Sequence, residues 1–346
     1  MADVSHEWSE EVERVVAGLL GGERSSTLHD LADEAGLDES WVERYWQLMG
    51  LPPSSPDATE YTREDAQALA DLHELEVREN LDARTIASLV RSVGHSTERL
   101  SWWHFEALVD HVVRQQGLLD PDARRAVIRA MDRLAPVLER QLVHAWRRQT
   151  TALVTRMAEE FGDAAQDTAS LRSGRDLPLP RAVGFADIVA FTRMTATMAP
   201  DDLANFIQAF ETRARDIVTA NGGRVVKTIG DALLFIADDV VTGARVALGL
   251  AKATEDELGV PGIAGRPVRV SLVWGRVLAR FGDVFGPSVN LASRLTDQAE
   301  PSTVLLDEVT AHRLASNPHF ALTTLEPREV PGLGTLTPVR LDFARD

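Results

Sequence analysis

In the first half of the chain the apolar residues recur at three- and four-residue spacing with hardly any alternation, which predicts helix after helix up to about residue 170. Leu28 to Leu51 has the pattern of a helix-turn-helix: LHDLADEA, a turn at Gly36-Leu37, then DESWVERYWQLMG. Thr62 with Asp65 makes a capping box, in which each side chain accepts from the other's backbone N–H, and it predicts the start of TREDAQALADLHEL. A second group of helices follows through Leu119, and Asp120 to Glu160 reads as two longer helices, DPDARRAVIRAMDRLAPVLERQ and LVHAWRRQTTALVTRMAEE. The stretch TASLRSGRDLPLPR, Thr168 to Arg181, is rich in Ser, Gly and Pro and has no period, so the predicted domain boundary falls there.

After that boundary the texture changes. Ala182 to Val189 reads as a strand, and Pro200 to Ala220 as an amphipathic helix through Leu203, Phe206, Ile207, Phe210, Ala214 and Ile217. Asn221-Gly222-Gly223 ends it, and Arg224 to Ile236 reads as a hairpin turning at Ile229-Gly230. A helix near Val240 to Ala253, strands at Val268 to Trp274 and Arg276 to Arg280, and a helix opening near Pro287 complete the expectation. Helices and strands in close alternation predict an α+β sandwich, preceded by an all-α domain. The division is 1–170 and 171–346, and the order of the early helices resembles the winged helix-turn-helix of MerR-type regulators.

Composition narrows the chemistry. With 53 Asp and Glu against 36 Lys and Arg, the net charge of −17 repels nucleic acid and anionic lipid. It also repels a free nucleoside triphosphate, so an enzyme using one must neutralise the phosphates locally. There is no cysteine, so any metal must sit on oxygen or imidazole. No run of about eighteen apolar residues offers a membrane span, and MADVSHEWSEEVERVV is acidic where a signal peptide would be basic and then apolar. The expected location is the cytoplasm.

Asp187 in FADIVAFT and Asp231 in KTIGDALLFI each place a carboxylate at the end of an apolar strand, where burial is costly unless the charge meets a cation. Taken singly, each also reads as an ordinary polar residue ending a strand or forming a turn. Together they could hold two Mg²⁺ or Mn²⁺ ions, which take oxygen ligands and share substrate phosphates. FADIVAFT, VVKTIGDALLFI and GDVFGPSVNLASRL resemble the three signature segments of class III adenylyl cyclases, over roughly Arg181 to the C-terminus.

That resemblance implies a ferredoxin-like (βαββαβ-type) catalytic domain. It implies that Asp187, Asp231 and the backbone carbonyl of Ile188 bind two metal ions, that Lys227 and Asp283 read the adenine of ATP, that Asn290 positions the ribose, and that Arg294 stabilises charge on the reacting phosphate. Metal ligands from one subunit and the other four residues from its partner would complete two equivalent sites in a homodimer. Asn290 and Arg294, four apart, share a helix face, and Gly286-Pro287 suits the turn that opens that helix. The implied reaction needs no histidine base, and none occurs between His144 and His312. One departure is that a lysine-rich VKGKG-like segment of many relatives is matched here by Val330-Pro331-Gly332-Leu333-Gly334, without either lysine. Arg280, Arg224 and Arg328 are the candidates to replace that charge, each with an alternative reading as a solvated surface residue.

The helix-turn-helix invites a DNA-binding reading, but Asp38, Glu39 and Glu43 beside Arg44 would repel phosphates. The fold instead reads as a regulatory or dimerising element, and some actinobacterial cyclases resemble this arrangement of a helical regulatory domain, in some cases pH-responsive, joined to a cyclase domain. Seven of the nine histidines lie in this half, so a proton is one conceivable input and a small molecule another. Trp102-Trp103-His104-Phe105 reads as core. The alternatives to an adenylate cyclase are a catalytically weak nucleotide sensor and a helix-turn-helix transcription regulator with a vestigial cyclase domain.

Overall fold

The computed structural model describes residues 2–51, 55, 57–164, 179–196, 198–253, 267–280, 282–330 and 332–344. The chain forms two compact units, Met1–Arg172 and Ser173–Asp346. Residues 165–178, which hold most of the predicted boundary segment, lie outside the described residues.

In the first unit, helices α1 (Ala2–Leu20), α2 (Leu28–Ala35), α3 (Glu39–Met49), α4 (Arg63–Arg78), α5 (Ala83–Gln116) and α6 (Asp120–Ala164) follow the predicted order. Local chemistry sets the boundaries of the small bundle. The expected capping box at Thr62 and Asp65 starts α4, and an equivalent one at Thr27 and Asp30 starts α2. Gly36, at φ 70°, closes α2 in the left-handed conformation that glycine adopts without strain. Leu31, Val42 and Leu69, from α2, α3 and α4, are fully buried together, each contributing roughly 1.5–3 kcal/mol of apolar burial.

Two expectations for this unit fail. Asp120 to Ala164 is one 45-residue helix with Pro136 inside it, not two helices. Pro136 removes one backbone donor, but no glycine lies between Asp120 and Phe161, and continuous hydrogen bonding on both sides outweighs a single missing bond. Trp102 and Trp103 are not core residues: they are 61% and 59% exposed on α5. No described helix is long and apolar enough to cross a membrane.

The second unit runs β1 (Leu179–Ile188), α7 (Phe191–Thr195), α8 (Pro200–Ala220), β2 (Arg224–Ile229), β3 (Ala232–Ala237), α9 (Val240–Lys252) and β4 (Val268–Arg280). It continues with β5 (Asp283–Phe285), α10 (Pro287–Gln298), β6 (Val304–Leu306), α11 (Glu308–Leu314), β7 (Phe320–Thr324), β8 (Arg328–Val330), β9 (Gly334–Leu336) and β10 (Val339–Phe343). The main sheet has the order β2-β3-β1-β4-β6-β10-β7, and β8 pairs with β9 apart from it. Its first four strands, joined as βαββαβ and antiparallel at each contact, are the expected ferredoxin-like motif in an α+β unit.

Both faces of this sheet are covered, which is why ALLFI on β3 is apolar without alternation. Leu233 and Phe235 pack with Phe206 and Phe210 of α8 and with α9. Leu234 faces the other way, against Phe185, Val273 and Leu295 of α10. The two strands expected around Gly275 are one, β4. A Cβ on Gly275 would lie 2.0 Å from the Ser288 hydroxyl, so glycine here lets the start of α10 press against the strand.

Candidate active site

The two candidate metal-binding aspartates are brought together by strand pairing. Asp187, near the end of β1, stands opposite Ala232 on β3 and Arg269 on β4. The Ile188 N–H donates to the Asp231 carbonyl at 3.3 Å, tying the second aspartate to the end of the same strand. Gly230 turns the β2–β3 hairpin at φ 62°, which places Asp231 at its tip. The Asp187 carboxyl is 13% exposed, and burial pushes its pKa above the usual carboxylate range. Arg269 opposes that shift, and the negative charges of Asp231 and Asp297 add to it.

Arg269 was missed by the sequence reading. Its Nε donates to Asp187 at 2.7 Å and its Nη1 to the Asp297 carbonyl at 3.3 Å. The available signal was a lone charge in VRVSLV, an otherwise apolar strand whose interior gives an arginine no place without a partner. Ser271, two residues on, was missed for the same reason. It is fully buried, donates to the Ala292 carbonyl at 2.7 Å and accepts from Thr296 at 2.8 Å. These bonds pin α10 to β4 and so orient the helix that carries Asn290 and Arg294.

The base-reading candidates also meet. Lys227, on β2 after a bulge between it and Val225, is hydrogen-bonded to the Asp283 carboxylate of β5, 56 residues away. A second Asp283 oxygen accepts from the Val284 N–H at 2.8 Å, which fixes the carboxylate. Asn290 and Arg294 lie one turn apart on α10, both exposed, and the Arg294 guanidinium is 3.7 Å from Asp297. Thus Asp187, Arg269, Asp297 and Arg294 form one connected group, and Lys227 with Asp283 forms another.

Of the arginines considered for the missing lysines, Arg224 is held by Asp238 at 2.7 Å and Arg328 donates to the Gln298 carbonyl at 3.0 Å. Arg328 and Arg269 therefore both cap carbonyls at the C-terminal end of α10, where a helix leaves acceptors unpaired. Arg280, at the end of β4, stands in register with Asp283. Val330 and Gly334 close the β8–β9 hairpin; Pro331 lies outside the described residues.

The donor set fits a hard divalent cation. Two carboxylates at adjoining strand ends and a nearby backbone carbonyl offer oxygen ligands, and a largely buried aspartate already drawn to a cationic guanidinium favours positive charge. Among the described residues no cluster of three or more His, Asp or Glu stands ready to enclose an ion, so further ligands would come from water or substrate. Carboxylate oxygens at the sheet's strand ends, with exposed Asn290 and Arg294 on α10, are the groups a phosphorylated substrate and its counter-ion would require.

Comparison with known proteins gives that class its family. Residues 181–341 match the family described as adenylate and guanylate cyclase catalytic domain. The chain is 41% identical over 329 residues to an adenylate cyclase of Glutamicibacter nicotianae, covering 93% of this chain and 80% of the relative. It is 35% identical to an adenylate cyclase of Streptomyces coelicolor, covering 86% of this chain and 73% of the relative. It is also 25% identical to a pH-sensitive adenylate cyclase of Mycobacterium tuberculosis, covering 88% of this chain and 74% of that one. The chain belongs to the adenylate and guanylate cyclase family.

Proposed function

We propose that this protein is a homodimeric adenylate cyclase that converts ATP to 3′,5′-cyclic AMP and pyrophosphate. The observation that carries the choice of ATP is the contact between Lys227 and Asp283. It sets one donor beside one acceptor, the complement of adenine N1 and its exocyclic amine, whereas guanine presents the opposite pattern. Without nucleotide the two groups satisfy each other, and adenine would replace that bond with one to each.

In the reaction the ribose 3′-oxygen forms a bond to the α-phosphorus, the bond to the pyrophosphate oxygen breaks, and the hydroxyl proton passes to solvent. Two divalent cations, Mg²⁺ or Mn²⁺, held by Asp187, Asp231 and the Ile188 carbonyl, would acidify the hydroxyl and stabilise the leaving oxygens. Asn290 holds the ribose, and Arg294 neutralises charge that develops on the phosphate. Arg269 holds Asp187 here, and with a cation in its place the guanidinium would be available to the substrate's phosphates. Positioning and electrostatics supply most of the acceleration.

The metal-binding residues act with Lys227, Asp283, Asn290 and Arg294 of a second copy. A symmetric pair then has two complete sites. The residues before about 170 regulate them. An open cavity of about 520 Å³ lined by Met49, Leu51, Gly94, Glu98, Trp102 and Phe105 supports a small-molecule input. The histidines facing acids, such as His29 beside Glu39, support a proton input, as does the name of the mycobacterial relative. A cytoplasmic location suits both the ATP supply and the cysteine-free chain.

The test is to incubate purified protein with ATP or GTP plus Mg²⁺ or Mn²⁺ and identify the product; GTP as the better substrate would overturn the roles of Lys227 and Asp283. Mixing inactive Asp231→Ala with inactive Arg294→Ala chains then tests the shared site. With complete exchange about half of the dimers are mixed, each with one intact site, so roughly a quarter of wild-type activity returns if the sites are independent. No recovery, with mixed dimers verified, means that the sites lie within single chains or are so coupled that one lesion silences both.

A further inference from the structure

The cavity in the helical unit lies where the C-terminal end of α3 meets the middle of α5. Its volume of about 520 Å³ is within the roughly 300–1,000 Å³ of small-molecule sites. Met49, Leu51, Trp102 and Phe105 make most of the wall apolar, and Thr97, Glu98 and Ser101 add polar groups along α5. Glu98 is the one ionisable residue among those lining it, and among the described residues no cation pairs with its carboxylate.

The end of α3 adds to that negative side. The Gly50 and Leu51 N–H groups turn back and donate to the Trp46 and Gln47 carbonyls. The next two carbonyls, of Leu48 and Met49, would need an N–H from Pro52 and Pro53, and proline has none. A helix end with carbonyls left over carries partial negative charge. Gly94 lets that end approach α5, since a Cβ there would lie 2.3 Å from the Met49 carbonyl oxygen. Trp102, 61% exposed, follows Glu98 by one helical turn on the same wall.

We propose that this cavity binds an organic cation with an apolar body, of the quaternary ammonium or bulky amine class. The Glu98 carboxylate, the C-terminal end of α3 and the faces of Trp102 and Phe105 each attract positive charge, and the apolar wall takes the hydrocarbon. At a solvent-facing site each of these three attractions is worth about 2–5-fold in affinity. Together they favour a cation over a neutral molecule of the same shape by about 10–100-fold. The carboxylate and the helix end repel an anion, so a carboxylate or phosphate amphiphile of similar size is disfavoured. The site stands on this chemistry alone, whereas any effect on turnover rests on the reading of the helical unit as a regulator.

Isothermal titration calorimetry on the full-length protein tests this with three probes of similar size: benzyltriethylammonium, neutral N,N-diethylbenzamide and anionic para-tert-butylbenzoate. The ammonium is expected to bind saturably, with a Kd about 10–100-fold below that of the amide, and the benzoate to bind more weakly than either. Glu98→Gln should cut the ammonium-over-amide ratio about 2–5-fold, and Glu98→Gln with Trp102→Leu about tenfold, while the amide's own affinity survives Glu98→Gln. Equal affinities for ammonium and amide, a preference for the benzoate, or a ratio that Glu98→Gln leaves unchanged overturns the proposal. So does an absence of ammonium binding by protein that still converts ATP, which leaves the cyclase reading standing. Cyclic AMP formation is measured in parallel. Ammonium binding that changes it in wild type but not in Glu98→Gln ties the site to regulation; binding that leaves it unchanged keeps the site and defeats the regulatory reading of the helical unit.

Discussion

Arg269→Ala isolates the contact on which the candidate metal site rests before any ion arrives. The substitution removes the 2.7 Å bond to Asp187 and the 3.3 Å bond to the Asp297 carbonyl. Stripping the partner from a fully buried ion costs about 3–5 kcal/mol. Here the Asp187 and Arg269 side chains keep 13% and 32% of their exposure, so water recovers part of that loss. The expected destabilisation is about 2–3 kcal/mol, which for a unit of this size lowers its melting temperature by about 5–10 °C. Calorimetry at neutral pH with a chelator present would measure it. Asp187→Asn removes the need for the guanidinium, so Arg269→Ala in that background should cost little, and the double-mutant cycle should give a coupling of about 2 kcal/mol. Lowering the pH should also shrink the difference between wild type and Arg269→Ala. The folded-state pKa of Asp187 is raised, and removing Arg269 raises it further, so the penalty belongs to the ionised carboxylate and fades as pH falls through that value. Added Mn²⁺ should narrow the gap too, by replacing the missing positive charge. Equal transitions for wild type and variant at neutral pH without metal, or strict additivity in the cycle, would refute the reasoning.

Asp187→Ala and Asp231→Ala should each reduce cyclic AMP formation at least about 10³-fold while the far-ultraviolet circular dichroism stays native; near-normal metal-dependent turnover in either removes it from the site. Asp283→Ala should lower kcat/KM for ATP and narrow the ATP-over-GTP preference by about 10–100-fold, read from both substrates side by side; an unchanged ratio would take Asp283 out of base recognition. Ser271→Ala removes the strand-to-helix bond to the Ala292 carbonyl, which keeps the Thr296 hydroxyl as a donor, and should cost about 1 kcal/mol in urea unfolding, with no cost if the bond to α10 contributes nothing. The pKa of His29 is raised by its hydrogen bond to Glu39 and by nearby Asp33 and Asp30. Its contribution to the α2–α3 packing is therefore complete below the ordinary histidine value and lost as pH rises through the raised one. Wild type should therefore show a change in Trp41 and Trp46 fluorescence as pH rises through that value, and His29→Gln should not; the same change in both would assign it to another group.

Features under short-range chemical control were legible in the amino-acid order. Thr62 and Asp65 announced the start of α4, Pro200 and Asn221 bracketed α8, and Gly230 turned the β2–β3 hairpin, because each acts through backbone groups within a few residues. The candidate residues were legible because their motifs are local, and the spacing of four between Asn290 and Arg294 already placed both on one helix face. Which charges meet depends on the packed fold. Arg269 reaches Asp187 across 82 residues and Lys227 reaches Asp283 across 56, through strand order and register that no local pattern encodes. The continuity of α6 through Pro136 and the exposure of Trp102 and Trp103 were settled the same way, by the balance of the whole helix and by what packs beside it. An apolar side chain declares that it will be buried if a partner surface exists. Whether the chain itself supplies that surface, as it does for Leu31 and does not for Trp146, depends on how distant elements share the available area.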